Sequence, residues 1–432
     1  MKKPVTVALA ALLSYGSLAV MPVAVQQVQA AEDSDSQSSS KRVRRTQTMR
    51  PVIYKKLDAV RALADEKKYA EALDDLKSVE NIRRNSYEQA MTFNMYAYVY
   101  FNKEDYKGAI KAYEQVVAID NIPESLEQTT LYSLAKLHLI QEDYKKSLET
   151  LNKWFAVVEK PGAEAYILRA QMQFQLENYG KALPDVKKAI AMVKEQGNQP
   201  KENWLMLERA VYYQNKDFKS LARCLQDLAT LYPKAQYWTQ LAAVYSELNK
   251  PLLELSTLET AYDQGYLKRE GDLMNFAYAL MGQDIPYKAA AVIEKGMKDE
   301  IIKPSAKNLS TLGDAWMLAK EYDKAIVEMT KAAGESQKGS DFFKLAQIHT
   351  ERQEWKLALQ NVNSALEDKD FDKAASAYVL KGNILFNMND LSRAKQSFVK
   401  AEDYPEVEKT AGQWLAFVEA EQKRREYMAS VN

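Results

Sequence analysis

Side chains able to act as nucleophiles, bases or soft metal ligands are few in this chain. It holds two histidines, His138 and His349, and one cysteine, Cys224. A single cysteine excludes an internal disulfide and a thiolate metal cluster. Catalytic or zinc chemistry at the histidines would need further ligands or a nucleophile beside them. Each instead lies in a helix-periodic stretch, at the place that Tyr100, Tyr245 and Trp316 take in similar stretches. Both are therefore expected as bulky packing residues. Cys224 stands beside Leu221 and Leu225 and is expected as a buried, inert thiol.

Other chemical signatures are missing. No two glycines are spaced i, i+2, and G-x-S-x-G does not occur. Gly334 and Gly339 have phosphate-loop spacing, but Ser340 stands where lysine is required. Carboxylates are abundant yet interleaved with lysine along solvated faces. The sequence points away from an enzyme, and no cofactor or metal is expected. Lys+Arg and Asp+Glu both number 59 in 432 residues. That balance argues against polyanion binding, which draws on phosphate neutralisation. Hydrophobic residues at 47% mark a foldable sequence.

The elements that position these residues recur. Asp105-Tyr106-Lys107-Gly108-Ala109-Ile110 is the clearest copy of a phrase with an aromatic, then a small, then an aliphatic residue. Related copies begin near Tyr69, Tyr144, Tyr179, Phe218, Pro251, Tyr287, Tyr322, Trp355 and Leu391, spaced 33 to 39 residues apart. Before each anchor runs a pattern of bulky–x–x–bulky–small–x–x–bulky, as in Leu309, Leu312, Gly313 and Trp316. Two antiparallel helices per repeat are implied, the small residue letting them approach closely. Each hairpin covers only part of its apolar face, so neighbours complete the core. The expected fold is all-α: a right-handed α-solenoid of about ten hairpins over 51–405, with a capping helix over 406–432. Pro184, with Gly180 four residues earlier, is expected to delay or kink its helix.

The N-terminus reads as a signal peptide over 1–30. Lys2 and Lys3 precede an uncharged, mostly apolar run, and Val28-Gln29-Ala30 offers small residues for cleavage after Ala30. An uncleaved anchor is the competing reading, since the run is long enough to span a bilayer. With cleavage, a periplasmic destination fits best. A disordered linker is expected over 31–50, serine-rich and then basic. Its Lys41, Arg42, Arg44, Arg45 and Arg50 are either a solvated spacer or a contact for anionic lipid or an acidic partner.

The expected binding surface is the inner, concave wall lined by first helices. It comprises Asn94, Tyr98, Phe101, Tyr132, Lys136, Gln171, Phe174, Arg209, Tyr212 and Tyr213 in the first half. In the second half it comprises Tyr278, Phe343, Gln347, Asn383 and Phe386, with Met281 and Met317 interspersed there and Ile167 in the first half. Aromatic area supplies affinity there, and amides satisfy a peptide backbone. The same tyrosines could equally pack on the next repeat.

A period near 34 residues with this hairpin pattern resembles the tetratricopeptide repeat superfamily over Pro51 to Tyr404. That resemblance implies a protein-binding scaffold. The superfamily's carboxylate clamp is not reproduced by Lys136 and Asn94 alone, so its chaperone-binding role does not carry over. The leader, the serine–arginine linker and Arg45-Thr46-Gln47-Thr48-Met49-Arg50-Pro51-Val52-Ile53-Tyr54-Lys55-Lys56-Leu57 resemble the start of a narrower group. These are periplasmic tetratricopeptide proteins encoded with a second TonB–ExbB–ExbD system. The resemblance implies an accessory role in TonB-dependent uptake of iron carriers, with TonB, ExbB or ExbD as partners. An adaptor for envelope assembly or for peptidoglycan enzymes is the alternative on the same fold.

Overall fold

The computed structural model describes residues 48–431, with side chains as far as residue 429. The signal peptide and most of the linker, including Lys41, Arg42, Arg44 and Arg45, lie outside the described residues. The described residues hold twenty-one helices and no strand. Two units divide the chain, one ending at Leu228 and the other beginning at Ala229.

The first unit is built from α1 (Pro51–Asp65) and α2 (Tyr69–Glu80), α3 (Ser86–Asn102) and α4 (Tyr106–Val117), and α5 (Glu124–Ile140) and α6 (Tyr144–Val157). It continues with α7 (Ala163–Gln175), α8 (Tyr179–Glu195) and α9 (Glu202–Gln214), and the boundary falls within α10 (Phe218–Leu231). The second unit holds α11 (Ala235–Glu247) and α12 (Pro251–Asp263), α13 (Glu270–Met281) and α14 (Pro286–Lys298), and α15 (Ala306–Leu318) and α16 (Tyr322–Ser336). It ends with α17 (Gly339–Glu351), α18 (Trp355–Glu367), α19 (Ala374–Asn387), α20 (Leu391–Glu402) and α21 (Glu408–Val431). Within each unit a helix packs chiefly on the helices next to it in sequence. First helices also touch at α1–α3, α7–α9 and α17–α19. Each unit is an α-solenoid of helical hairpins.

The small residue of each first helix sits where the hairpin closes. A Cβ on Gly313 would lie 2.7 Å from Met329 Cε on α16, and one on Gly382 2.5 Å from the Phe398 ring on α20. Both distances are shorter than packed carbon atoms tolerate. Ala97, Ala135, Ala170, Ala277 and Ala346 are buried at the same place in other hairpins.

One backbone device closes all ten hairpins. Lys67, Glu104, Glu142, Glu177, Lys216, Asn249, Asp284, Lys320, Gln353 and Asn389 all have positive φ, and each lies in a hairpin turn. The N–H that follows each one donates back to a first-helix carbonyl five residues earlier. Examples are Asp143 to His138 and Glu321 to Trp316, each at 2.9 Å. This is the Schellman closure, made here without glycine. Several of the next side chains cap the second helix: Asp105 accepts from the Gly108 N–H at 2.9 Å, and Asp390 from the Arg393 N–H at 3.0 Å.

The left-handed residue also gives a common register, and it corrects one anchor. The second helix begins two residues after it, so the seventh anchor is Pro286, not Tyr287. Proline suits that first-turn position, where its missing N–H costs nothing. Pro184 does not delay α8, which begins at Tyr179 and runs on to Glu195. Gly180 precedes it by four residues and has open space where a Cβ would stand. At the other end, α21 packs on α20, with the Trp414 and Phe398 rings stacked 5.7 Å apart.

Arg50 departs from its expected place in a basic, surface-seeking linker. Its Nε donates to Glu88 Oε1 at 2.9 Å and a guanidinium nitrogen to Oε2 at 2.8 Å. It is thereby spent on the fold.

Candidate partner-binding face

Counting back from the left-handed residue, most of the expected wall falls into register. Asn94, Tyr132 and Phe343 stand ten residues before it. Tyr98, Lys136, Gln171, Tyr278, Gln347 and Asn383 stand six before it, and Phe101, Phe174, Tyr213 and Phe386 three before it. Steps of four and three place these residues on one helix face.

Burial sorts them. Tyr213, Tyr278 and Gln347 are exposed, while Asn94, Tyr98, Phe101, Tyr132, Lys136, Gln171, Asn383 and Phe386 are half-buried. Phe174, Phe343 and Ile167 are buried, which removes them from the expected open wall. Aromatic residues three before the turn pack onto the anchor that follows it: Phe101 on Tyr106 at 5.8 Å and Phe174 on Tyr179 at 5.2 Å between ring centres. Phe386 lies 5.4 Å from Phe417 of α21, and Phe343 5.5 Å from Phe371. Tyr98 hydrogen-bonds Asp65 of the preceding first helix.

Arg209 and Tyr212 are corrected for a different reason. They stand seven and four residues before Lys216, out of step with the rest. Seven is the closing position that alanine or glycine takes in most hairpins. The charge of Arg209 acts on Cys224 of the following helix and lowers its thiol pKa against the larger upward pull of burial. Four is the bulky position of Tyr100, His138, Tyr245, Trp316 and His349. Tyr212 is buried there, its hydroxyl 3.1 Å from Glu208 Oε1.

A polar and aromatic knot surrounds Lys136. Its Nζ lies 4.7 Å from the Tyr132 ring centre, and Tyr132 packs 5.0 Å from Trp154. Burial lowers the Lys136 pKa and pushes the Tyr132 hydroxyl up to about 12. Close by, Arg169 lies 3.7 Å from the Phe155 ring centre and grips Asp185 with two 2.7 Å hydrogen bonds. These groups hold one another.

Space opens between α11 and α13. A groove of about 760 Å³ lies between these first helices, over α12. It exists because α11 carries Thr239, Ala243 and Ser246 at its three face positions, where most other repeats carry larger side chains. Asn275, Tyr278 and Gln283 line the other side, with Glu247, Glu254 and Asp272 at the walls. Of the expected wall only Tyr278 lines this groove. The other lining residues are not aromatic; their signal in the sequence is three small face positions in succession.

The histidines and the cysteine take packing roles. His138 is buried, with its pKa lowered by burial. His349 is buried with Nδ1 2.6 Å from Glu354 Oε2, at the start of α18. Buried Cys224 directs Sγ to the Leu205 carbonyl at 3.3 Å, and burial raises its pKa. Among the described residues no three histidine, cysteine or carboxylate side chains are grouped to hold a metal, and no helix is long and apolar enough to cross a membrane.

The tetratricopeptide repeat family model matches residues 87–122 and 375–406, hairpins α3–α4 and α19–α20. These two hairpins are tetratricopeptide repeats by that match. No curated protein matches it in sequence. Among solved structures it is similar to a tetratricopeptide repeat protein from Parabacteroides merdae, at 14% identity over 58% of this chain and 94% of that one, TM-score 0.35. It is also similar to the Cut9–Hcn1 hetero-tetramer of the APC/C, at 11% identity over 86% of this chain and 84% of that one, TM-score 0.34. A third likeness is to YrrB, described as having an unusual peptide-binding site, at 14% identity over 43% of this chain and 90% of that one, TM-score 0.35. In repeat terms the groove lies between the first helices of the sixth and seventh repeats.

Proposed function

We propose that this protein is a periplasmic adaptor that binds segments of other proteins on the first-helix face of its repeats. The observation that carries this reading is the groove between α11 and α13, sized for several side chains of a guest. The leader sequence supports export. The stretch from Arg45 to Leu57 resembles the start of proteins encoded with a second TonB–ExbB–ExbD system. We therefore assign the adaptor to TonB-dependent transport as an accessory component, not as an enzyme.

In-cell cross-linking followed by co-purification of the full chain tests this. Recovery of TonB, ExbB or ExbD supports the assignment. Recovery of peptidoglycan synthases or outer-membrane assembly factors keeps the adaptor but moves it to envelope assembly. Recovery of no protein overturns both.

A further inference from the structure

The groove's lining is chemically one-sided. Glu247, Glu254 and Asp272 are its charged residues, and no lysine or arginine lines it. Asp272 is neutralised by Arg269, with hydrogen bonds of 2.8 and 2.9 Å. Glu247 and Glu254 are held in no ion pair among the described residues. The groove thus carries two carboxylates outside any ion pair, Glu247 exposed and Glu254 half-buried, and their summed negative field favours a cation.

A second, independent feature lies at the turn end of the groove. Leu252 and Leu253 follow the lining residue Pro251, and Ile285 and Tyr287 flank Pro286, close after the lining residue Gln283. All four apolar side chains are exposed, Leu252 at 70% and Tyr287 at 55%. Leu252 and Tyr287 hold the same register, three residues past the left-handed turn. Lys107, Lys145 and Lys219 hold that position in other repeats, and no other hairpin places a large apolar residue there. At that position the large apolar residues fall in the two repeats that form the groove, and exposed apolar groups gathered beside a groove mark an interaction surface.

We propose that this surface takes an extended protein segment carrying a lysine or arginine beside large apolar side chains. The cation pairs with Glu247 and Glu254, and the apolar neighbours cover Leu252 and Tyr287. Thr239, Asn275 and Gln283 offer hydrogen-bonding groups to the guest backbone. Ala243 and Gly282 allow that backbone to approach closely. The proposal rests on the adaptor reading and specifies its guest.

The test pans a randomised peptide display library on the full-length chain and measures enriched peptides on the wild type and on two variants. Enriched sequences are expected to place Lys or Arg beside Leu, Ile, Phe or Tyr. Their affinity should fall about tenfold or more in the double variant Glu247→Gln, Glu254→Gln, and weaken as salt rises. Leu252→Ser with Tyr287→Ser should weaken binding without steepening the salt dependence. Unchanged melting curves keep folding out of the result. Acidic enriched peptides, an unaffected double variant, a library that enriches nothing, or enrichment only of sequences from this chain each overturn the proposal. The adaptor reading falls separately, when cross-linking in cells recovers no partner.

Discussion

Arg50 and Glu88 are joined by three hydrogen bonds. The Arg50 backbone N–H and Nε both meet Glu88 Oε1 at 2.9 Å, and a guanidinium nitrogen meets Oε2 at 2.8 Å. The Glu88 side chain is fully buried and also accepts the Asn85 N–H at 3.1 Å, completing the cap of α3. The pair ties the entry of the first helix to the second repeat. The Arg50 guanidinium, with the two backbone N–H groups, holds the Glu88 carboxyl down at about 2, against an ordinary 4.5.

Discounted for solvent screening at the half-exposed Arg50, that displacement corresponds to a stability contribution of about 1–2 kcal/mol at neutral pH. The folded value is depressed, so the contribution is complete above the unfolded value near 4.5 and disappears as pH falls through about 2. Glu88→Gln should lose it at pH 7 and show a shallower acid decline. Arg50→Lys, which keeps charge but not the two-pronged fork, should fall between. Denaturant titrations of the three proteins from pH 7 to pH 2 check this.

Glu142 adopts φ of 58°, in the left-handed region. The left-handed conformation costs an L-residue about 1–2 kcal/mol, part of which glycine recovers after its larger unfolded-state entropy. Glu142→Gly should raise stability by up to about 1 kcal/mol. Glu142→Ile, β-branched at the same φ, should lower it by at least as much. Chemical denaturation at one pH distinguishes the signs.

Gly382 faces the Phe398 ring with no room for a methyl group. Gly382→Ala should destabilise the chain by about 1–3 kcal/mol. Phe398→Leu in the same background should recover part of the loss by vacating the contact. A double-mutant cycle measured by thermal melting yields the coupling.

His138 is buried, and burial lowers its pKa below the ordinary 6.5. The unfolded chain then takes up the proton first as pH falls below 6.5, so the native state loses stability through that window. His138→Tyr, matching the residue other repeats place there, should fold and should flatten the decline between pH 6.5 and pH 5. Denaturation midpoints at those two values decide it.

Export makes its own prediction. Mass spectrometry of the protein recovered from the envelope should find Ala31 as the first residue. An intact N-terminus starting at Met1 would mean an uncleaved anchor.

The hairpins were legible because Tyr69, Tyr106, Tyr144, Tyr179, Phe218, Tyr322 and Trp355 each open a second helix, where a bulky ring meets the turn. The turns themselves were not legible. Their left-handed residues are lysine, glutamate, glutamine, asparagine and aspartate, and none is the glycine that announces such a conformation. Without that register Arg209 and Tyr212 of the fifth repeat look like face residues, although each stands one residue before a true face position, Ala210 or Tyr213. The groove escaped because it is made by what is missing: Thr239, Ala243 and Ser246 are informative only beside repeats that are larger at the same places.

Within each unit a hairpin leans mainly on its immediate neighbours in sequence. Cooperativity therefore decays with distance along the chain, as in a row of coupled springs. A guest seated over α11 and α13 would slow amide exchange in the sixth and seventh repeats most, with the effect fading toward α21. Loosening at the chain's last helix would likewise leave that seat undisturbed, so recognition in the middle can outlast wear at the end.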